Sequence, residues 1–256
     1  MNEKLEILGL QINQISFDEA IEKVKILAVN HTPSYVCFAN VHMVIEAYKD
    51  KAFANEVNNA ALVLADGKPV AKACKLLYNQ YQERIAGMDF MPLLLQSIGG
   101  KNIRIFFYGS DNNTLSALYQ IIKKQYPGVQ IAGAISPPFH TVSLEEQTGY
   151  IETINKTKPH IVFVCLGCPK QEKWMYEHHR KIDAVLLGVG GALRVMARVQ
   201  KRAPAWMQKN SLEWLYRLKQ EPKRLFQRYF ITNNLFIYLL CKKLIKKKFH
   251  VQSNKR

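Results

Sequence analysis

The sequence predicts an α/β protein: a Rossmann-like parallel sheet with helices on both faces, followed by a basic helical appendage at the C-terminus. Three observations carry this. Short apolar runs are separated by helix-length segments of roughly 10–15 residues, the spacing of βαβ units. The runs are apolar throughout, as in strands covered on both faces. Charge also divides along the chain. Of a formal net charge of +16 over 256 residues, the segment from Arg194 to Arg256 holds +15 and everything before it only +1. A nearly neutral body (1–195) and a basic helical segment (196–256) follow as the expected domain organisation.

In chain order, Leu5–Ile15 has strand character, and Ser16-Phe17-Asp18-Glu19 has the form of a capping box opening a helix. Tyr35–Ala39 reads as a second strand ending at Asn40-Val41-His42. Leu62–Ala65 reads as a third, ending at Asp66-Gly67, with Lys68-Pro69 opening a helix. After Arg84-Ile85-Ala86-Gly87-Met88-Asp89, a helix runs through Leu93–Ile98. Ile103–Tyr108 and Val129–Ala134 are strands; Gly109-Ser110-Asp111 caps a helix over Asn113–Lys124, and Leu144–Asn155 is another helix. The most informative stretch is Ile161–Arg202. Its apolar run Ile161–Leu166 breaks at Gly167-Cys168-Pro169, and the run Ala184–Leu187 breaks at Gly188-Val189-Gly190-Gly191. Glycine-rich turns at strand ends leave backbone N–H groups open to a phosphate or diphosphate, and ligands of parallel sheets bind beyond the strands' carboxyl ends. From Pro204 the pattern is helical: Ser211–Gln220, Lys223–Phe230 with a break at Asn233-Asn234, then Leu235–Lys248. The last places Leu235, Phe236, Leu239, Leu240 and Leu244 on one face with lysines beside it, the pattern of a helix lying in a membrane interface.

Composition excludes several classes. No apolar run reaches the length of roughly 18–20 residues needed to span a bilayer. The five cysteines, the N-terminus without a secretory pattern and the isolated Cys165-Leu-Gly-Cys168 pair fit a reducing cytoplasm, not a disulfide or zinc framework. The histidines form no metal-ligand spacing, and no Asp-x-Asp pair exists. No GxGxxG follows the first strand of a βαβ unit, which argues against a nicotinamide enzyme. The basic segment implies an anionic partner. A nucleic-acid-binding module is the alternative reading of it, but a nucleic-acid face needs no Leu/Phe band.

Read together, Asn40-Val41-His42-Met43, Ala65-Asp66-Gly67, Arg84-Ile85-Ala86-Gly87-Met88-Asp89, Phe107-Tyr108-Gly109-Ser110, Ser136-Pro137-Pro138-Phe139, Gly167-Cys168-Pro169-Lys170-Gln171-Glu172-Lys173-Trp174, Gly188-Val189-Gly190-Gly191, Lys201-Arg202-Ala203-Pro204 and Leu212-Glu213-Trp214-Leu215-Tyr216-Arg217 fall in one order along nearly the whole chain. In this the sequence resembles the WecG/TagA/CpsF family of bacterial glycosyltransferases. The resemblance implies transfer of a sugar, N-acetylmannosamine or its uronic acid, from a UDP-sugar to a polyprenyl-diphosphate-linked acceptor with inversion. It also implies a C-terminal appendage that docks on an anionic membrane surface and completes the active site. The protein is then expected at the inner face of the cell membrane, with a homo-oligomer possible.

Inverting transfer needs one base to take the proton of the attacking hydroxyl. Asp66, at a strand end, is the candidate, matching the family's proposed base; its alternative use is to cap the next helix. The leaving UDP needs cations, and without an Asp-x-Asp metal site these are expected from Arg84, Arg217, Arg224 and Arg228, whose planar guanidinium groups suit phosphate oxygens. Neither metal nor cofactor is expected. Gln171 matches a position implicated in substrate binding, and Asn40 could orient a sugar hydroxyl. Gly109, Ser110, Pro137, Gly188, Gly190 and Gly191 are expected near the nucleotide. The family's acidic residue after Gly-Val-Gly-Gly is here Arg194, a charge reversal that bears on which donor sugar is used.

Overall fold

The computed structural model describes residues 3–138, 142–210 and 212–253. Phe139, His140 and Ser211 lie outside the described residues, and so does the side chain of Arg224.

The chain opens with two short strands, β1 (Lys4–Ile7) and β2 (Leu10–Asn13), paired antiparallel. They replace the single strand expected over Leu5–Ile15. The reversal sits at Leu8-Gly9, both in the left-handed region at φ 51° and 100°, as a tight two-residue hairpin turn requires. There follow α1 (Phe17–Val29), β3 (Ser34–Ala39), α2 (Val41–Lys49), α3 (Lys51–Asn58), β4 (Leu62–Ala65), α4 (Lys68–Tyr78) and α5 (Gly87–Ile98). Then come β5 (Arg104–Gly109), α6 (Asn112–Gln125), β6 (Gln130–Ile135), α7 (Leu144–Lys156), β7 (Ile161–Cys165), α8 (Lys170–His178), β8 (Val185–Gly188) and α9 (Ala192–Met196). The expected capping box is present: the Ser16 side chain accepts from the Glu19 N–H while the Glu19 carboxylate accepts from the Ser16 N–H.

Strands β3 to β8 form one six-stranded sheet in the order β4-β3-β8-β7-β5-β6, every pairing parallel. The central strands are buried on both faces, which is why they read as unbroken apolar runs. One face packs against the hairpin, α2, α3, α4 and α8, with Tyr35, Phe53, Val162 and Met175 in its core. The other packs against α1, α5, α6 and α9, around Phe38, Phe90, Phe107 and Phe163. Connections leave β5 and β7 toward opposite edges, so a crevice opens at their carboxyl ends.

The C-terminal segment forms α10 (Ala205–Lys209), α11 (Glu213–Gln220) and α12 (Pro222–Ser253). Two expectations are corrected here. First, α12 is one continuous helix through Asn233-Asn234; Asn234 donates from Nδ2 to the Phe230 carbonyl at 2.7 Å, a bond available only inside the helix. Second, the stripe expected to lie in a membrane interface faces the protein. Phe236 and Leu239 are buried in the same core as α2 and α4, with Leu235, Leu240 and Leu244 packed against it. Lys243, ion-paired with Glu6, and Lys247, bonded to the Leu77 carbonyl, fasten the helix there. What α12 turns outward is a second apolar set: Phe226, Phe230, Ile231, Ile237, Tyr238 and Ile245. No helix among the described residues is long and apolar enough to cross a membrane.

Candidate active site at the carboxyl edge of the sheet

The turns after β4, β3, β8, β7 and β5 stand side by side at the carboxyl edge, and most of the sequence-selected residues lie on them. Asp66 follows β4, its N–H donating to the Ala39 carbonyl at 2.9 Å, so it sits beside the end of β3. Gly67, at φ 111°, turns the chain sharply into α4. Asp66 retains some surface, but packed protein surrounds its carboxyl and pushes the pKa up to about 7; the positive charges of Arg84 and Arg217 oppose that rise, and Glu213 and Asp89 add to it. A carboxylate poised near neutrality, with two guanidinium groups in electrostatic range, can take a proton at working pH.

Asn40 is the N-cap of α2, its Oδ1 accepting from the Met43 N–H at 3.2 Å. Arg84 is not a free cation. It bonds Asp89 at 2.6 Å and Glu213 at 3.3 Å, and Arg202 pairs with the same two carboxylates. This four-charge cluster pins the start of α11 to the body near Asp66. Sequence reasoning missed its other members. Asp89, Arg202 and Glu213 each fall inside a quoted motif, but residues so distant in sequence give no sign of meeting.

Arg217 is different. It makes no ion pair among the described residues, and its Nε is buried without a hydrogen-bond partner. Its guanidinium lies against the turn after β8, where a Cβ added to Gly191 would come within 2.4 Å of Nη2. The absence of a side chain at Gly191 is what lets the guanidinium settle on that backbone. We therefore predict that Gly191→Ala, whose φ of −62° is unstrained for alanine, displaces Arg217 and lowers kcat by about tenfold or more. Its melting temperature should match wild type; an unchanged kcat would show that this contact is incidental.

Gln171 is buried, and both ends of its amide are used within the protein. Oε1 accepts from the Gly167 N–H at 3.3 Å; Nε2 donates to the Gly188 carbonyl at 2.9 Å and to Glu172 at 2.6 Å. Its geometry is that of a positioning residue tying two glycine turns together. Glu172 is fully buried beside it; desolvation pushes its pKa up to about 7, and hydrogen bonds with Gln171 and Cys168 oppose the rise. Arg228 stands at this part of the edge, where its charge acts on His42, Cys168 and Glu172.

At the far end, Gly109 and Ser110 close the β5–β7 crevice. A Cβ on Gly109 would lie 2.4 Å from the Cys165 carbonyl oxygen, and the Ser110 N–H donates to that oxygen at 3.1 Å. Ser136 donates to the Ser110 carbonyl at 2.8 Å, which places Pro137, itself buried, next to the turn. Arg194 is exposed, with Asp111 and Cys165 within reach of its charge. The edge thus has an acid–base and cation end around Asp66 and Arg217, and a narrow backbone-lined end at Gly109 and Ser110. Among the described residues, no three His, Cys, Asp or Glu side chains come together as a metal-ligand set.

A sequence profile of the glycosyl transferase WecG/TagA/CpsF family matches residues 5–250. The N-acetylglucosaminyldiphosphoundecaprenol N-acetyl-beta-D-mannosaminyltransferases of Staphylococcus aureus strains MW2 and NCTC 8325 are each 29% identical over 242 residues, covering 93% of this chain and 92% of theirs. The nucleic-acid-binding alternative finds no support in these matches. The chain belongs to the WecG/TagA/CpsF family and is a glycosyltransferase.

Proposed function

We propose that this family member moves N-acetylmannosamine or a related sugar, with inversion, from a UDP-sugar to a polyprenyl-diphosphate-linked sugar, in the synthesis of a cell-surface polysaccharide or teichoic-acid-type polymer. The observation that carries the reading is Asp66, with its raised pKa, in electrostatic range of Arg217, which makes no ion pair among the described residues. In the proposed step, an acceptor hydroxyl attacks the anomeric carbon while Asp66 takes its proton. The bond from that carbon to the diphosphate oxygen breaks on the opposite side, and the charge developing on UDP is met by Arg217. Positioned donors of this kind contribute through being in place before charge develops.

The experiment is UDP release with a panel of UDP-sugars and a polyprenyl-diphosphate-N-acetylglucosamine analogue, with and without EDTA. Acceptor-dependent release with one donor, unchanged by EDTA, supports both the reaction and the arginine assignment. Release abolished by EDTA removes the arginine assignment, and release that ignores the acceptor removes the transfer reading.

The acceptor is an amphiphile, so the enzyme must work at a lipid surface. We assign the docking role to residues 196–256, through the outward face of α12. Phe226 and Phe230 stack at 6.1 Å in the open, with Trp206 and Trp214 also exposed and the exposed Lys242 and Lys246 placed to meet anionic headgroups. Replacing Phe226 and Phe230 together with Ser should weaken binding to anionic phospholipid vesicles by on the order of tenfold or more. Phe236→Ser should instead unfold the protein, since that ring is in the core. Vesicle binding unaffected by the double variant would refute this face.

A further inference from the structure

We propose that an apolar groove on the outer side of α11 holds the prenyl chain of the acceptor; the proposal rests on the transfer reading above. The groove is an open surface hollow of about 530 Å³, lined by Met207 of α10, by Leu215, Tyr216, Leu218 and Lys219 of α11, and by Pro222 at the start of α12. That volume falls within the range of about 300–1,000 Å³ that holds small organic ligands. Its exposed wall is mostly apolar, which suits a hydrocarbon chain better than a sugar or a nucleotide.

The occupant follows from the two faces of α11. Glu213, Arg217 and Gln220 recur at helical spacing and look toward the body. Glu213 joins the charge cluster, Arg217 lies on Gly191, and Gln220 donates to the Lys201 carbonyl at 2.9 Å. Leu215, Leu218 and Pro222 line the opposite side. One eight-residue helix thus carries on one face the guanidinium in electrostatic range of Asp66 and on the other an apolar hollow, about 10–12 Å apart across its diameter. The acceptor must bring its sugar hydroxyl to Asp66, on the body side of α11, while its hydrocarbon chain needs an apolar surface close by, and the other side of the same helix supplies one. The units nearest the diphosphate would cross α11, and the next ones would lie in the groove, with the flexible Met207 adapting to their branched outline.

The test uses acceptor analogues with one head group and prenyl chains of increasing length, in lipid-free buffer. KM should stay level until the chain is long enough to cross α11, then fall by on the order of tenfold or more as the groove fills. Leu218→Asp should flatten that dependence. In parallel, an analogue with a diazirine on its prenyl chain, irradiated without donor, should label Met207, Leu215 or Leu218 of the wild-type protein. A KM indifferent to chain length, or label confined to Phe226 and Phe230 on α12, would overturn the proposal and leave the chain in the bilayer. Because labelling is read without turnover, label in the groove with no sugar transfer would count against the reaction and for the groove.

Discussion

Asp66→Asn is expected to lower kcat by about 10²–10⁴-fold, the contribution of a positioned general base, while leaving UDP affinity unchanged. The substitution keeps shape and hydrogen-bonding capacity but cannot accept the acceptor's proton. Two further readouts separate this from a structural loss. In the wild type, kcat/KM should rise with pH through about 7, as the Asp66 carboxyl ionises, and the variant should lose that limb. Stability should move the other way. The folded-state pKa is raised above the unfolded value of about 3.9, so between the two the folded state binds more protons and stability falls as pH rises. At pH 8 the variant, which has no carboxylate to desolvate, should therefore be more stable than wild type, and at pH 4 no more so. A variant that lost activity together with stability at pH 8 would place Asp66 in the scaffold.

Arg217→Ala should cost about 10²–10³-fold in kcat, the usual scale for removing one preorganised donor to developing charge. It is the sharper arginine to test. Arg84 is committed to Asp89 and Glu213, so its removal would also break the cluster that holds α11. Removing the whole appendage is uninformative for a similar reason, since it would expose the core around Phe236 and Leu239. Arg217→Lys should recover part of the loss, because an ammonium keeps the charge but not the planar fork. A full kcat in Arg217→Ala would mean that the diphosphate is held elsewhere along the edge.

The parallel sheet could be read directly from the chain because burial on both faces writes strands as plain apolar runs. The hairpin could not: Leu8-Gly9 lies within an apolar stretch and its turn has no Asn-Gly or Asp-Gly signal. At Asn233-Asn234 two poor helix formers suggested a break, and packing on α2 and α4 overrode that local preference. Helix α12 has two apolar faces, and periodicity finds such faces without saying which one the fold covers. The same limit holds at the site. The glycine turns stood out through local chemistry, and Asp66 and Arg217 through their place in the stretches that resemble the family. The engagement of Arg84 by Glu213 and the closure of both ends of the Gln171 amide depend on contacts that no local pattern encodes.

The proposed transfer uses a single base once, and the anomeric configuration of the product tests that most directly. With the active UDP-sugar and a prenyl-diphosphate acceptor, NMR of the purified product should show the new glycosidic bond inverted relative to the donor. Retention would require either two successive displacements through an enzyme nucleophile or attack on the same face as the departing diphosphate, and would contradict a single in-line displacement with Asp66 as its base.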